Sequence, residues 1–82
     1  MTELAVKEQI LKEAGYTFEP RREAYINRKV RKIFSIDFIE DHGPDAIARK
    51  IHEATPGSEW TFIFNAEPSD SVKRELARIL SA

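Results

Sequence analysis

The chain has no cysteine, three glycines, four prolines and no long apolar run in its 82 residues, and each shortage excludes something. Without cysteine there is no disulfide framework, no thiolate nucleophile and no Cys-based zinc site, so a chain this short must be held by packing or by association. A reducing, cytoplasmic setting is expected. With so few glycines the sequence contains neither a G-x-S-x-G elbow nor a phosphate-cradling loop. The opening stretch MTELAVKEQILKEAG interrupts its apolar residues with charges every few positions, unlike a signal peptide or a membrane span, so neither export by that route nor membrane insertion is expected. A large charge of one sign is also missing. The formal net charge is -1 and the isoelectric point about 6.1, too balanced for the molecule as a whole to attract a polyanion.

What is present reads as one globular domain spanning residues 1–82. Hydrophobic residues make up 41% of the chain and charged residues 33%, with five Phe, two Tyr and one Trp, a balance that supports a core and argues against disorder. A domain of this length hides roughly 60 to 65% of its unfolded surface, leaving little for a deep enclosed pocket. Catalysis is therefore not expected.

Val6, Ile10, Leu11 and Ala14 recur at helical spacing, with Lys7, Glu8, Lys12 and Glu13 on the other side and Gly15 as a left-handed stop. The period then falls to two at Tyr16-Thr17-Phe18. Glu19-Pro20-Arg21-Arg22 reads as a turn, Ala24 to Asn27 as a second strand, Asn27-Arg28-Lys29 as a second turn and Arg31 to Phe34 as a third strand. A single helix from Asn27 to His42 is the competing reading, because Val30, Ile33, Phe34 and Asp37 can share a face. Ser35 caps the next helix, with Phe38 and Ile39 turned inward. His42-Gly43-Pro44 interrupts it, and Pro44 opens a further helix with Ile47, Ile51 and Ala54 on one stripe, closed by Thr55-Pro56-Gly57-Ser58. Trp60 to Asn65 alternates Trp60, Phe62 and Phe64 against Thr61 and Ile63 and is apolar on both faces, which predicts an interior strand at the centre of the sheet. Pro68-Ser69-Asp70 caps a last helix with Val72, Leu76, Ile79 and Leu80 as its stripe. The expected fold is a small α+β two-layer sandwich: an N-terminal helix, antiparallel hairpins, a helix pair, a central strand and a C-terminal helix, with the helices on one sheet face.

Charge is segregated along the chain. Residues 16–35 carry six bases against two acids, a net of +4, whereas residues 1–15 sum to -1 and residues 36–82 to -4. Such a molecule has a dipole that can orient a charged partner. The candidate binding residues are Arg21, Arg22, Tyr25, Arg28, Lys29, Arg31 and Lys32, the bases to meet carboxylates or phosphates and Tyr25 to offer a flat face. The same residues also suit a solvated strand edge in which Lys and Arg discourage edge pairing and pair with Glu19 and Glu23.

Other constellations carry less. Asp37, Glu40, Asp41, His42 and Asp45 cluster in sequence, but their spacing fits no ligand pattern and acids near helix starts answer the helix dipole, so no metal is expected. His42 reads as a turn residue and His52 as a surface one. The two short helices around Gly43 have helix-turn-helix lengths, yet the second begins at Asp45 and follows Glu40 and Asp41, which would repel phosphates. Ser35 is explained by capping. Trp60, Phe62 and Phe64 read as core, while Tyr16, Phe18 or Tyr25 on the opposite face would leave an apolar patch for self-association if helices do not cover them. The sequence thus points to a non-enzymatic binding or regulatory domain without a cofactor. Its expected partner is an acidic protein met through the basic hairpins, or a second copy met through the Tyr16, Phe18 and Tyr25 face, and nucleic acid through the hairpins is the alternative.

Overall fold

A computed structural model describes residues 2–53 and 59–81. Thr2 starts the first helix, α1 (Glu3–Glu13), by accepting a hydrogen bond from the Ala5 N–H on its hydroxyl. The helix stops at Gly15, whose φ of +95° disfavours other residues. There the Tyr16 N–H reaches the Leu11 carbonyl and the Gly15 N–H the Lys12 carbonyl, the two bonds of a Schellman ending. Leu11 and Tyr16 are both core residues, which ties the helix end to the sheet.

Three antiparallel strands follow, β1 (Thr17–Glu19), β2 (Ala24–Asn27) and β3 (Lys32–Ser35), each within one residue of expectation. Two turns join them, and Glu23 and Arg31 adopt positive φ as the chain reverses. The competing helix from Asn27 to His42 does not form. Asn27 holds the second turn by accepting the Lys29 and Val30 N–H groups on its side-chain oxygen, and its amide reaches back to the Ala14 carbonyl at the end of α1.

Ser35 caps α2 (Ile36–Asp41) through the Phe38 N–H, and Pro44 opens α3 (Pro44–His52). The expected stripe member Ala54 and the closing residues Thr55 to Ser58 lie outside the described residues. The α2–α3 pair forms the crossover that a parallel strand requires, and β4 (Thr61–Ile63) pairs parallel with β3. The Ser69 hydroxyl accepts the Val72 N–H at the start of α4 (Asp70–Ser81).

Among the described residues the result is an α+β domain of four helices and a four-stranded mixed sheet, in the order of elements expected. Two placements differ. The sheet runs β1-β2-β3-β4, so β4 is an edge strand and β2 and β3 are interior. The helices also occupy both faces. Tyr25, Phe34 and Ile63 point towards α1, α2 and α3, packing with Leu11, Phe38, Ile39 and Ile47. Ala24, Ile26 and Ile33 point the other way, towards Leu80 of α4, with Trp60, Phe62, Phe64 and Leu76 half-buried around them. Double-sided hydrophobicity in Trp60 to Phe64 thus reports a helix above and a helix below, not a strand on each side. The α4 stripe is narrower than its spacing implied, since Val72 and Ile79 stay exposed.

Candidate functional site

The seven residues of the basic hairpin set do not form one surface. The two turns flank β2, so Arg21 and Arg22 lie at one end of it and Arg28, Lys29 and Arg31 at the other. Tyr25 is buried in the core, with the Phe18 ring 5.0 Å away, and has no face to offer. Burial pushes its hydroxyl up, and the nearby Glu8 carboxylate adds to the effect.

Lys32 is 2% exposed. Its ammonium donates to the carbonyl oxygens of Lys50 at 2.7 Å, Ile51 at 3.1 Å and Glu53 at 2.8 Å, the groups that the end of α3 leaves without helical partners. Burial holds its pKa below the ordinary lysine value; Glu53 opposes that shift and Lys50 adds to it. The same device appears twice more. Lys7 was expected on the solvent side of α1, yet it is buried and donates to the Ile39 carbonyl of α2 at 2.7 Å. Arg28 reaches the Leu80 carbonyl near the end of α4 at 3.3 Å. Cations from other elements thus meet the negative ends of three helices, where the dipole favours them.

Arg22 and Arg28 share Glu19, at 2.7 Å and 2.9 Å. This acid sits at the end of β1 next to Pro20, so the β1 edge is charged and interrupted by proline, two features that discourage further pairing. Arg21 and Lys29 are exposed. Arg31 takes a different place: it lines a groove of about 520 Å³ between β4 and α4.

Trp60 and Phe62 from β4 and its N-terminal approach form the apolar floor of that groove, and Lys73, Arg74, Ala77 and Ser81 of α4 form its wall. These α4 positions recur at helical spacing on one side of the stripe that packs on the sheet. The Trp60 indole N–H donates to the Ser81 hydroxyl at 2.9 Å, which sets the start of β4 beside the end of α4. Glu59 and Asp70 add two carboxylates to the rim. Lys73 is paired with Glu67 at 2.5 Å, a bond that lowers the Glu67 pKa and raises that of Lys73. Arg74 is exposed and forms no ion pair with another described residue.

The chain matches no known protein family, no curated protein and no solved structure. The site must therefore be read from its own chemistry. Among the described residues no three His, Asp or Glu side chains converge as metal ligands, and no helix is long and apolar enough to cross a membrane. The acid cluster around His42 is dispersed: the His42 ring stacks on Phe38 at 3.9 Å with its Nδ1 2.9 Å from the Phe38 carbonyl oxygen, while Asp41 accepts from the Asn65 amide.

Of the groove residues the sequence singled out Arg31 alone for binding. Trp60 and Phe62 read as core because alternation reveals that a face is covered, not how completely. Lys73 and Arg74 lie outside the apolar stripe of α4, Lys73 half-buried and Arg74 exposed. Only the placement of α4 beside an edge strand turns that side into a wall. The face carrying Tyr16, Phe18 and Tyr25 is indeed opposite Trp60 and Phe62, but α1 to α3 cover it, leaving Phe18 alone substantially exposed.

Proposed function

We propose that the protein is a non-enzymatic binding or regulatory domain that acts through protein–protein contact in a reducing, cytoplasmic setting. Its contact surface is the groove between β4 and α4, with Arg31 beside the start of β4 and Lys73 and Arg74 on the α4 wall. The observation that carries this reading is the composition of that groove: Arg31, Lys73 and Arg74 stand around two half-buried aromatic rings and beside Glu59 and Asp70. An apolar floor with a mixed, slightly basic rim suits a protein segment with a few carboxylates.

Nucleic acid, the alternative, is less well served. Phosphate binding draws on several uncommitted cations along a track. Here Lys32 is buried on backbone carbonyls, and Arg22 and Arg28 are paired to Glu19. The carboxylates on the rim would repel a phosphate chain.

The test is site-specific photocrosslinking in the producing cells, with a crosslinking side chain at position 73 on the groove wall and, as control, at exposed position 12 on α1. A discrete protein adduct is expected at 73 and not at 12, and adding the paired Arg31→Glu and Arg74→Glu changes to the chain that carries the probe at 73 should abolish it while the melting temperature stays within a few degrees. Nucleic acid recovered at position 73 would favour the alternative. No adduct, or equal adducts at both positions, would count against a contact here.

A further inference from the structure

We propose that the outer edge of β4 accepts an extended segment of a partner protein as a fifth strand, its inward side chains lying on Trp60 and Phe62 and a carboxylate meeting Arg74. This rests on the reading that the domain works by protein contact, and it adds the mode and the chemistry of the segment.

The backbone argues for a strand as the occupant. The Thr61 N–H donates to the Arg31 carbonyl at 2.9 Å, so Thr61 faces β3, as does Ile63 two residues on. Backbone groups alternate sides along a strand, which turns the Phe62 N–H and C=O outward, where no described strand pairs with them. An extended chain supplies donor and acceptor at the matching repeat, the mode known as β-augmentation. The sheet's two edges differ in this respect. At β1, Glu19, its two arginines and Pro20 block pairing, whereas β4 is flanked by aromatics.

The groove supplies the side-chain half of the argument. The Trp60–Ser81 hydrogen bond makes α4 run back along β4 from its C-terminal end, and Ala77 keeps the middle of the wall low. Arg31 stands at the Trp60 end. Arg74 lies seven residues before Ser81, about 10 Å back along the helix. In a strand, residues four apart are about 13 Å apart on the same face, a span that two flexible arginines can meet. The segment that fits is therefore acid–x–apolar–x–acid, the apolar residue sitting over the aromatic floor and the acids meeting Arg31 and Arg74.

The test is selection of twelve-residue random peptides displayed on phage against the full chain, followed by titration of synthetic versions. Enrichment of the acid–x–apolar–x–acid pattern is expected, with the Phe62 amide among the most shifted in NMR spectra and a change in the fluorescence of Trp60, the chain's single tryptophan. Arg74→Glu, and separately N-methylation of the peptide residue opposite Phe62, should each weaken binding about tenfold or more. Arg74→Ala, which should weaken it less, guards against a folding defect in the reversed variant. The proposal is overturned by absence of any enriched pattern, by peptides that bind Arg74→Glu as well as the parent, or by shifts centred away from β4. It is also overturned if the Phe62 amide shifts with protein concentration alone, which would assign the edge to a second copy. Failure here with a specific crosslink at position 73 removes strand addition and leaves protein contact standing; failure of both removes the underlying reading.

Discussion

The Lys32 ammonium lies 2.8 Å from the backbone carbonyl oxygen of Glu53, the residue that ends α3. With the Lys50 and Ile51 carbonyls it forms a three-oxygen seat for one buried charge. The interaction joins the third strand to the crossover helix, so it fixes where α3 stops and where the chain leaves towards β4. It also explains why a basic run in the sequence does not give a basic surface of equal size.

Replacing Lys32 by Met should therefore be costly although it swaps a cation for a side chain of similar length. The change leaves up to three carbonyls without their donor, and an unmet buried polar group costs about 1 to 3 kcal/mol. A net loss of about 2 to 4 kcal/mol is expected, a fall of ten degrees or more in melting temperature for a domain of this size. Lys29→Met, three residues away and exposed, should change stability by less than about 0.5 kcal/mol. Equal melting temperatures for the two variants would mean that the carbonyl seat contributes nothing.

Much of the local structure was legible because its signals are local. Gly15, Ser35 and Pro44 each mark a helix boundary through a conformation or bond within a few residues, and each does so where expected. Lateral strand order was not legible, since the apolar residues of Trp60 to Phe64 register cover above and below but carry no information about sideways neighbours. The fate of the lysines was hidden for a similar reason. Lys7 is 32 positions from the carbonyl it binds, and Lys32 is 18 to 21 positions from its three. By residue type alone both belong in water, and only the tertiary placement of a helix end reverses that preference. The groove was hidden because its wall is the ordinary polar side of α4 until β4 comes alongside.

Gly15→Ala should destabilise through two effects at one atom. The new Cβ must occupy a residue with φ of +95°, and it would stand 3.2 Å from the Asn27 amide nitrogen that bonds the Ala14 carbonyl. A loss of about 1 to 2 kcal/mol in chemical denaturation is expected, more than the backbone term of about 1 kcal/mol alone. In an Asn27→Ala background the extra cost should shrink, because the crowded amide is gone. If the penalty is the same in both backgrounds, contact with Asn27 plays no part.

Tyr16 gives the protein an alkaline limit. Its hydroxyl is buried without a hydrogen-bond partner among the described residues, and desolvation pushes its pKa up to about 12 from the ordinary value of 10.0. The folded state therefore retains a proton that the unfolded chain releases first, so the associated stability is complete below pH 10.0 and is lost as the pH rises through about 12. Tyr16→Phe should abolish this component. At neutral pH it should be neutral or stabilising by up to about 1 kcal/mol, since no bond is lost and an unmet hydroxyl is removed. Melting temperatures of parent and variant from pH 8 to 12 decide the matter: the gap should move in favour of the variant above pH 10, and parallel curves would refute the assignment.

Hydrogen exchange along β4 tests the edge on which the binding proposal stands. Thr61 and Ile63 direct their N–H groups at β3, whereas Phe62, between them, directs its N–H outward. An interior strand would protect all three. An open edge instead predicts alternation, with Thr61 and Ile63 exchanging near the rate of the surrounding sheet and Phe62 much faster, because its amide needs no opening of the sheet to reach water. Tyr25 and Phe34, on the interior strands, should be the most protected references. Slow exchange at Phe62 in the free protein would mean that its amide already has a partner, and the fifth strand would then have nowhere to add. Fast exchange that slows only when a selected peptide is present would place the new hydrogen bond at the outward-facing position of β4.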